Sequence, residues 1–186
     1  MKLLAIVGSP RLNGNTDYLT GQALEEAAGL GIKTEKIILN QHKVGPCLGH
    51  DDCASFDTCI LKDDAAWILE RLCEADGVIL ATPVYYYNAS AQMKAFMDRN
   101  YFLYTHDRKA RAKAIGILLV AEAAGLEDTL HTMKRYIGES FSVDKSRIFT
   151  MCGIAGRLGD AQANTRLTGE ARKLGKTLAL SLKEQG

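Results

Sequence analysis

Three of the chain's five cysteines crowd into one stretch, Cys47-x-x-His50-x-x-Cys53-x-x-x-x-x-Cys59. Thiolates and an imidazole are ligands for zinc and for iron–sulfur clusters, so the spacing raises a metal or redox site. Histidine can stand in for cysteine on iron, as in Rieske-type centres. The ligand types also suit a Cys₃His zinc site, though the spacing is cramped for one. The third reading is a loop that holds no metal and keeps its thiols for packing. The residues alone leave all three open.

A second constellation is Gly8-Ser9-Pro10-Arg11-Leu12-Asn13-Gly14-Asn15-Thr16. It fits neither G-x-G-x-x-G nor G-x-x-x-x-G-K-[ST], so it carries neither a dinucleotide fingerprint nor a nucleoside-triphosphate loop. It does contain what a phosphate needs. Ser9 and Thr16 offer hydroxyls, Asn13 and Asn15 amides, and Arg11 a fork able to donate two parallel hydrogen bonds. A helix starting near Thr16 would add free N–H groups and the positive end of its dipole. Turn and cap residues have the same composition. The strand–loop–helix context favours a phosphomonoester, because the glycines that let a backbone approach a pyrophosphate are absent.

A third stretch is Thr82-Pro83-Val84-Tyr85-Tyr86-Tyr87-Asn88-Ala89-Ser90. Pro83 has no N–H and holds Thr82 extended, so it marks the end of a strand. Three successive tyrosines cannot all point inward, and an exposed ring near polar groups suits a planar heteroaromatic ligand. Ser90 is a helix cap.

Something must hold these loops in place. Nearly continuous apolar runs at 3–7, 34–39, 77–81, 114–121 and 147–153 read as parallel strands buried on both faces. Amphipathic stripes lie between and after them. The clearest is Ala65, Ile68, Leu69, Leu72 and Cys73, with Asp63 or Asp64 as cap. Helices are also expected over 16–28, from Ser90, around Leu126–Ile137 and around Leu167–Leu182. Five strands alternating with five helices predict one doubly wound α/β domain over 1–186, strand order 2-1-3-4-5, with helices on both faces. Ligands then bind where the strands' carboxyl ends meet the switch in strand order, which is where the second and third stretches lie. Residues 40–62 form the one long irregular loop.

Composition narrows the classes. Lys plus Arg number 23 and Asp plus Glu 22, a net charge of 23 − 22 = +1. That balance gives no general pull on nucleic acid or on an anionic membrane. The run 114–121 is too short to span a bilayer. The N-terminal apolar run is short for a signal peptide and leads into a Gly-Ser-Pro turn. With an odd number of cysteines, the expectation is a cytoplasmic protein without a disulfide framework. No G-x-S-x-G elbow is present, which leaves a hydrolase without support.

Taken together, the second and third stretches resemble the NAD(P)H-dependent FMN reductases of the flavodoxin-like superfamily. Gly8–Arg11 with Gly14–Thr16 resembles their phosphate loop. Thr82–Tyr85 with Ser90–Ala95 and Asp98-Arg99 resembles their flavin-ring loop and the helix after it. The resemblance implies bound FMN, with Ser9, Arg11, Asn13, Asn15 and Thr16 about the phosphate. Pro83, Val84, Tyr85, Tyr86, Asn88 and Ser90 would serve the ring. It implies electrons from NADH or NADPH, no dedicated catalytic side chain, and a homodimer or larger assembly. The 40–62 loop resembles that of the iron–sulfur flavoproteins, a branch of the same superfamily, where four cysteines hold a cluster. Here Cys47, Cys53 and Cys59 match and His50 stands where the second cysteine is expected. One departure is the turn after the fourth strand, Ala121-Glu122-Ala123-Ala124-Gly125, in place of a glycine-rich one.

Three functions follow as alternatives. The first is an FMN-dependent NAD(P)H oxidoreductase reducing a small acceptor. The second is an electron carrier fed by a ferredoxin-like donor. The third is a non-catalytic binding module on the same fold.

Overall fold

The computed structural model describes residues 1–184. Its sheet runs β2-β1-β3-β5-β6, and all of these neighbours pair in parallel. The strands are β1 (Lys2–Val7), β2 (Lys33–Ile38), β3 (Gly77–Tyr85), β5 (Ala114–Ala121) and β6 (Ile148–Ile154). Counting these five alone, the order is the expected 2-1-3-4-5, the flavodoxin-like α/β arrangement.

The helices are α1 (Asn15–Gly29), α2 (Ala65–Glu74), α3 (Ala91–Arg99), α4 (Tyr101–Thr105), α5 (Leu126–Ser140), α6 (Asp160–Ala163) and α7 (Thr165–Lys183). Alternation along the strands divides the core in two. Leu3, Ala5 and Val7 of β1 face α1 and α7, together with Ile79 and Leu118. Leu4 and Ile6 face the other way, with Val78, Leu80 and Ile117, against α2, α3 and α5. On the first face α1 and α7 lie so close that a β-carbon on Gly175 would stand 2.0 Å from the Ala23 carbonyl oxygen.

The third strand differs from expectation. Pro83 does not stop it. The ladder to β1 ends at Val7–Ala81, while pairing with β5 continues through Thr82 and Pro83. A proline is tolerated there because the neighbouring strand on one side has already ended. β3 then turns back as a hairpin onto a two-residue strand, β4 (Asn88–Ala89), through antiparallel pairs Val84–Ala89 and Tyr85–Asn88. The sheet thus has six strands, one more than the periodicity predicts. Residues 40–62 are irregular, with two single-turn helices, Leu39–Gln41 and Cys53–Ser55.

Candidate active site

The carboxyl ends of β1, β3, β5 and β6 surround one open cleft of about 120 Å³. Ser9, Arg11, Gly14, Asn15 and Thr16 line one side, Pro83, Val84 and Tyr85 another. Val120, Glu122, Ala155 and Gly156 complete it. The two loops singled out in the sequence therefore meet, at the switch point between β1 and β3.

The loop 8–16 is preorganised. The Gly8 N–H bonds the Ala81 carbonyl at 2.8 Å. A β-carbon on Gly8 would lie 2.7 Å from Met93 Cβ, so only glycine lets this loop start flush against α3. Ser9 is buried, and its Oγ accepts from the Arg11 N–H at 3.2 Å. Asn13 takes a left-handed φ of 57° and donates its N–H to Asp17 Oδ2 at 2.8 Å. Lys36 neutralises that carboxylate from 2.6 Å.

At the mouth of the loop Gly14 caps α1 with no side-chain hydrogen bond. The first-turn N–H groups of α1 are thus left for an anion, with the helix dipole behind them. Arg11 is exposed and has no ion-pair partner among the described residues. An uncapped helix, a free guanidinium and two buried hydroxyl residues fit a phosphomonoester.

Not every candidate faces the cleft with its side chain. The Asn15 amide donates to the carbonyls of Ala155 at 3.1 Å and Arg157 at 2.8 Å, and its Oδ1 accepts from the Ala161 N–H. It ties the β6–α6 loop to the start of α1. Asn13 stays on the outer side of the loop. Ser90 is fully buried behind the cleft; its Oγ donates to the Gly8 carbonyl and accepts from the Met93 N–H at 3.2 Å. Asn88 turns its Oδ1 to its neighbour's N–H.

The tyrosines split. Tyr85 lines the wall, while Tyr86 is 100 % exposed at the hairpin tip. Tyr86 and Tyr87 have φ values of 47° and 61°, the geometry of a two-residue type I′ turn. Such turns prefer Asn-Gly, and bulky residues are strained there. The tip rests on Gly125, where a β-carbon would meet Tyr87 Cα at 2.8 Å and Val84 Cγ1 at 2.9 Å. Gly125 thus packs on the hairpin and does not line the cleft. Glu122 is exposed and also lines the cleft, packed over Gly156.

Replacing Tyr86-Tyr87 with Asn-Gly is expected to stabilise the fold by about 1–3 kcal/mol through relief of this strain. Thermal melting of the double variant checks it. An unchanged or lowered melting temperature would show that the rings' contacts outweigh the strain.

The cysteine segment lies apart, packed on α3 and α4. Cys53 is buried; burial pushes its thiol up, and the nearby Cys47 and Cys59 add to the effect. Cys59 Sγ accepts a hydrogen bond from Arg99 Nη2 at 3.1 Å, and Cys47 Sγ accepts from the Gly49 N–H at 3.4 Å. Among the described residues no three Cys, His, Asp or Glu side chains converge as a metal site. Cys47, Cys53 and Cys59 nonetheless lie close enough for their charges to act on one another. His106 is structural, bridging the carbonyls of Phe102 and Phe56.

One pairing crosses between the motifs. Arg99, 1 % exposed, pairs with the Asp63 carboxylate and donates to the Gly45 carbonyl at 3.2 Å. Asp63 also accepts N–H bonds from Gly45 at 2.9 Å and Ala65 at 3.1 Å. Burial raises the Asp63 carboxyl, but these donors outweigh it and leave the group below the usual carboxylate range. The Tyr101–Tyr104 pair, stacked at 6.1 Å on α4, does not line the cleft.

Known proteins agree with this geometry. The model of the NADPH-dependent FMN reductase family matches residues 1–149. An iron-sulfur flavoprotein of Methanocaldococcus jannaschii is 33 % identical over 96 % of both chains. Another, from Methanosarcina thermophila, is 40 % identical, over 55 % of this chain and 54 % of its own length. Among solved structures, the NAD(P)H:quinone oxidoreductase from Methanothermobacter marburgensis superposes with a TM-score of 0.73 at 15 % identity, over 96 % of each chain. That likeness speaks for the fold. The family match and the cleft together lead to one conclusion: the chain belongs to the NADPH-dependent FMN reductase family, as an FMN-dependent NAD(P)H oxidoreductase.

Proposed function

We propose that the cleft binds FMN with its phosphate at the uncapped start of α1, and that the protein passes electrons from NADH or NADPH to a small-molecule acceptor. The observation that carries this reading is the meeting of Arg11 and the bare helix terminus with the Pro83–Tyr85 wall in one cleft. Bound FMN would supply the hydride and single-electron chemistry. Arg11 and the hydroxyls of Ser9 and Thr16 hold the phosphate, with the N–H groups of Asn15 and Thr16. Pro83, Val84 and Tyr85 flank the ring; Asn13, Asn15, Ser90 and Asn88 act by fixing the backbone around it. Glu122, on the facing wall, disfavours added negative charge in the cleft.

Exposed apolar residues, among them Leu12, Tyr86, Ile154 and Leu158, support a homodimer or larger assembly. Five free cysteines support a reducing, cytoplasmic setting. No helix among the described residues is long and apolar enough to cross a membrane. The relatives named iron-sulfur flavoproteins favour a second reading, a carrier taking electrons from a ferredoxin-like donor through a cluster. The family match over residues 1–149 favours the first.

Purification without oxygen, followed by a visible spectrum, iron and zinc analysis and an NAD(P)H oxidation assay, tests both. Flavin absorption without iron, with nicotinamide oxidation that requires an acceptor, is the expected result. Stoichiometric iron would move the conclusion to the carrier. A colourless protein that also fails to bind added FMN would overturn both.

A further inference from the structure

We propose that Arg99 is a positioning residue that couples the cysteine segment to the phosphate loop of the cleft. The inference rests on the FMN reading above. α3 carries its two ends into two different sites. At its start Ser90 joins the first and third strands' loops: its Oγ donates to the Gly8 carbonyl, and its N–H donates to Thr82 Oγ1 at 3.1 Å. At its end Arg99 gathers the cysteine segment. One guanidinium reaches Asp63, Gly45 and Cys59.

A second link bypasses the helix. Asn40 Nδ2 donates to the Pro10 carbonyl in the phosphate loop at 3.0 Å. Asp64 then carries the connection inward: its Oδ2 accepts from the Lys43 N–H at 2.7 Å, and its own N–H donates to the Lys43 carbonyl at 2.8 Å. Residues 40–64 are thus held at both ends by hydrogen bonds that lead to the loop expected to grip phosphate, although none of them lines the cleft.

An ion pair with one member almost fully buried is a poor device for stability alone, since apolar replacements of similar volume often serve as well. What apolar side chains cannot supply is a directed set of bonds to a carbonyl, a carboxylate and a sulfur at once. Asp63 is not free to wander, because two backbone N–H groups and Arg99 fix it. Ordering the phosphate loop around FMN therefore tightens Pro10, Asn40 and α3, and through Arg99 the cysteine segment. By reciprocity, whatever engages Cys59 must change the grip on FMN by the same factor.

Hydrogen–deuterium exchange of the full chain as purified, read by peptide mass spectrometry with and without saturating FMN, tests this. In the natural sequence FMN is expected to slow exchange over 43–63 by about fivefold or more, the lower end of ordinary coupling. In Arg99→Lys, which keeps the charge but loses the fork, the FMN-dependent protection of 43–63 is expected to fall to what the Asn40–Pro10 link carries, while 8–16 and 82–90 stay protected. The readout is the FMN-dependent difference, which a merely structural role for Arg99 would leave in place. Should Arg99→Lys fail to fold, Asn40→Ala on the surface is expected to cut the FMN-dependent protection of 43–63 by itself. FMN binding that leaves 43–63 unprotected, or protects it equally in the variants, would overturn the coupling alone. Absence of FMN binding, read by flavin fluorescence, would overturn the cleft assignment with it.

Discussion

Arg11→Ala is expected to weaken FMN binding by roughly tenfold to a hundredfold, as charge-assisted hydrogen bonds to an ionised group are lost. The side chain is exposed at the mouth of the cleft and has no acidic partner among the described residues. Its removal therefore leaves no uncompensated charge, and the fold should melt as before. Because the phosphate is dianionic near neutral pH, the loss should shrink as ionic strength rises. Titration of FMN against protein fluorescence at low and high salt checks both points. An affinity unchanged at low salt would place the phosphate elsewhere. Arg11→Lys should fall between, since an ammonium keeps the charge but not the paired geometry.

The largest effect on stability is expected from Arg99→Met. It removes one member of a buried pair and strands the Asp63 carboxylate, which costs about 3–5 kcal/mol. The pH dependence gives the sign. In the natural chain Asp63 is held below its ordinary value, so its contribution is present above the unfolded pKa of about 3.9 and lost as pH falls through the lower folded value. In Arg99→Met burial still raises the carboxyl while the largest lowering contact is gone, so the folded value moves up even with the Gly45 and Ala65 N–H bonds in place. The gap between the two proteins should thus be widest near pH 7 and narrow towards pH 4. Urea unfolding at both pH values measures it. A gap independent of pH would show that Asp63 is not the group left unpaired.

The sequence carried β1, β3 and β5 well, because strands buried on both faces read as unbroken apolar runs; β2 and β6, at the sheet's edges, are only partly buried, contrary to expectation. It carried the two cleft loops as well, because each lies at a strand's carboxyl end. It misplaced the end of β3, since Pro83 breaks a ladder only where both neighbours are present, and β1 has already stopped at Val7. The Tyr86-Tyr87 turn was invisible because its residues lack the Asn-Gly pattern that marks such turns. Asn15 read as a phosphate donor, whereas its amide is spent on carbonyls 140 and 142 residues away. The Arg99–Asp63 pair escaped for the same reason. Its members stand 36 residues apart, and each looks like an ordinary charged residue at a helix end.

The Asn15 bonds also set an order of events during synthesis. One side of the cleft wall, Ala155 and Gly156, and the tether that fixes the start of α1 come from residues 155–161. A ribosome-bound chain that has already displayed Arg11, the tyrosines and the whole of β1 to β5 still has an open-sided cleft. Only when β6 and the turn after it emerge can Asn15 lock the helix end in place. Flavin captured before then would be held by the early loops alone, so its tight retention would await residues 155–161.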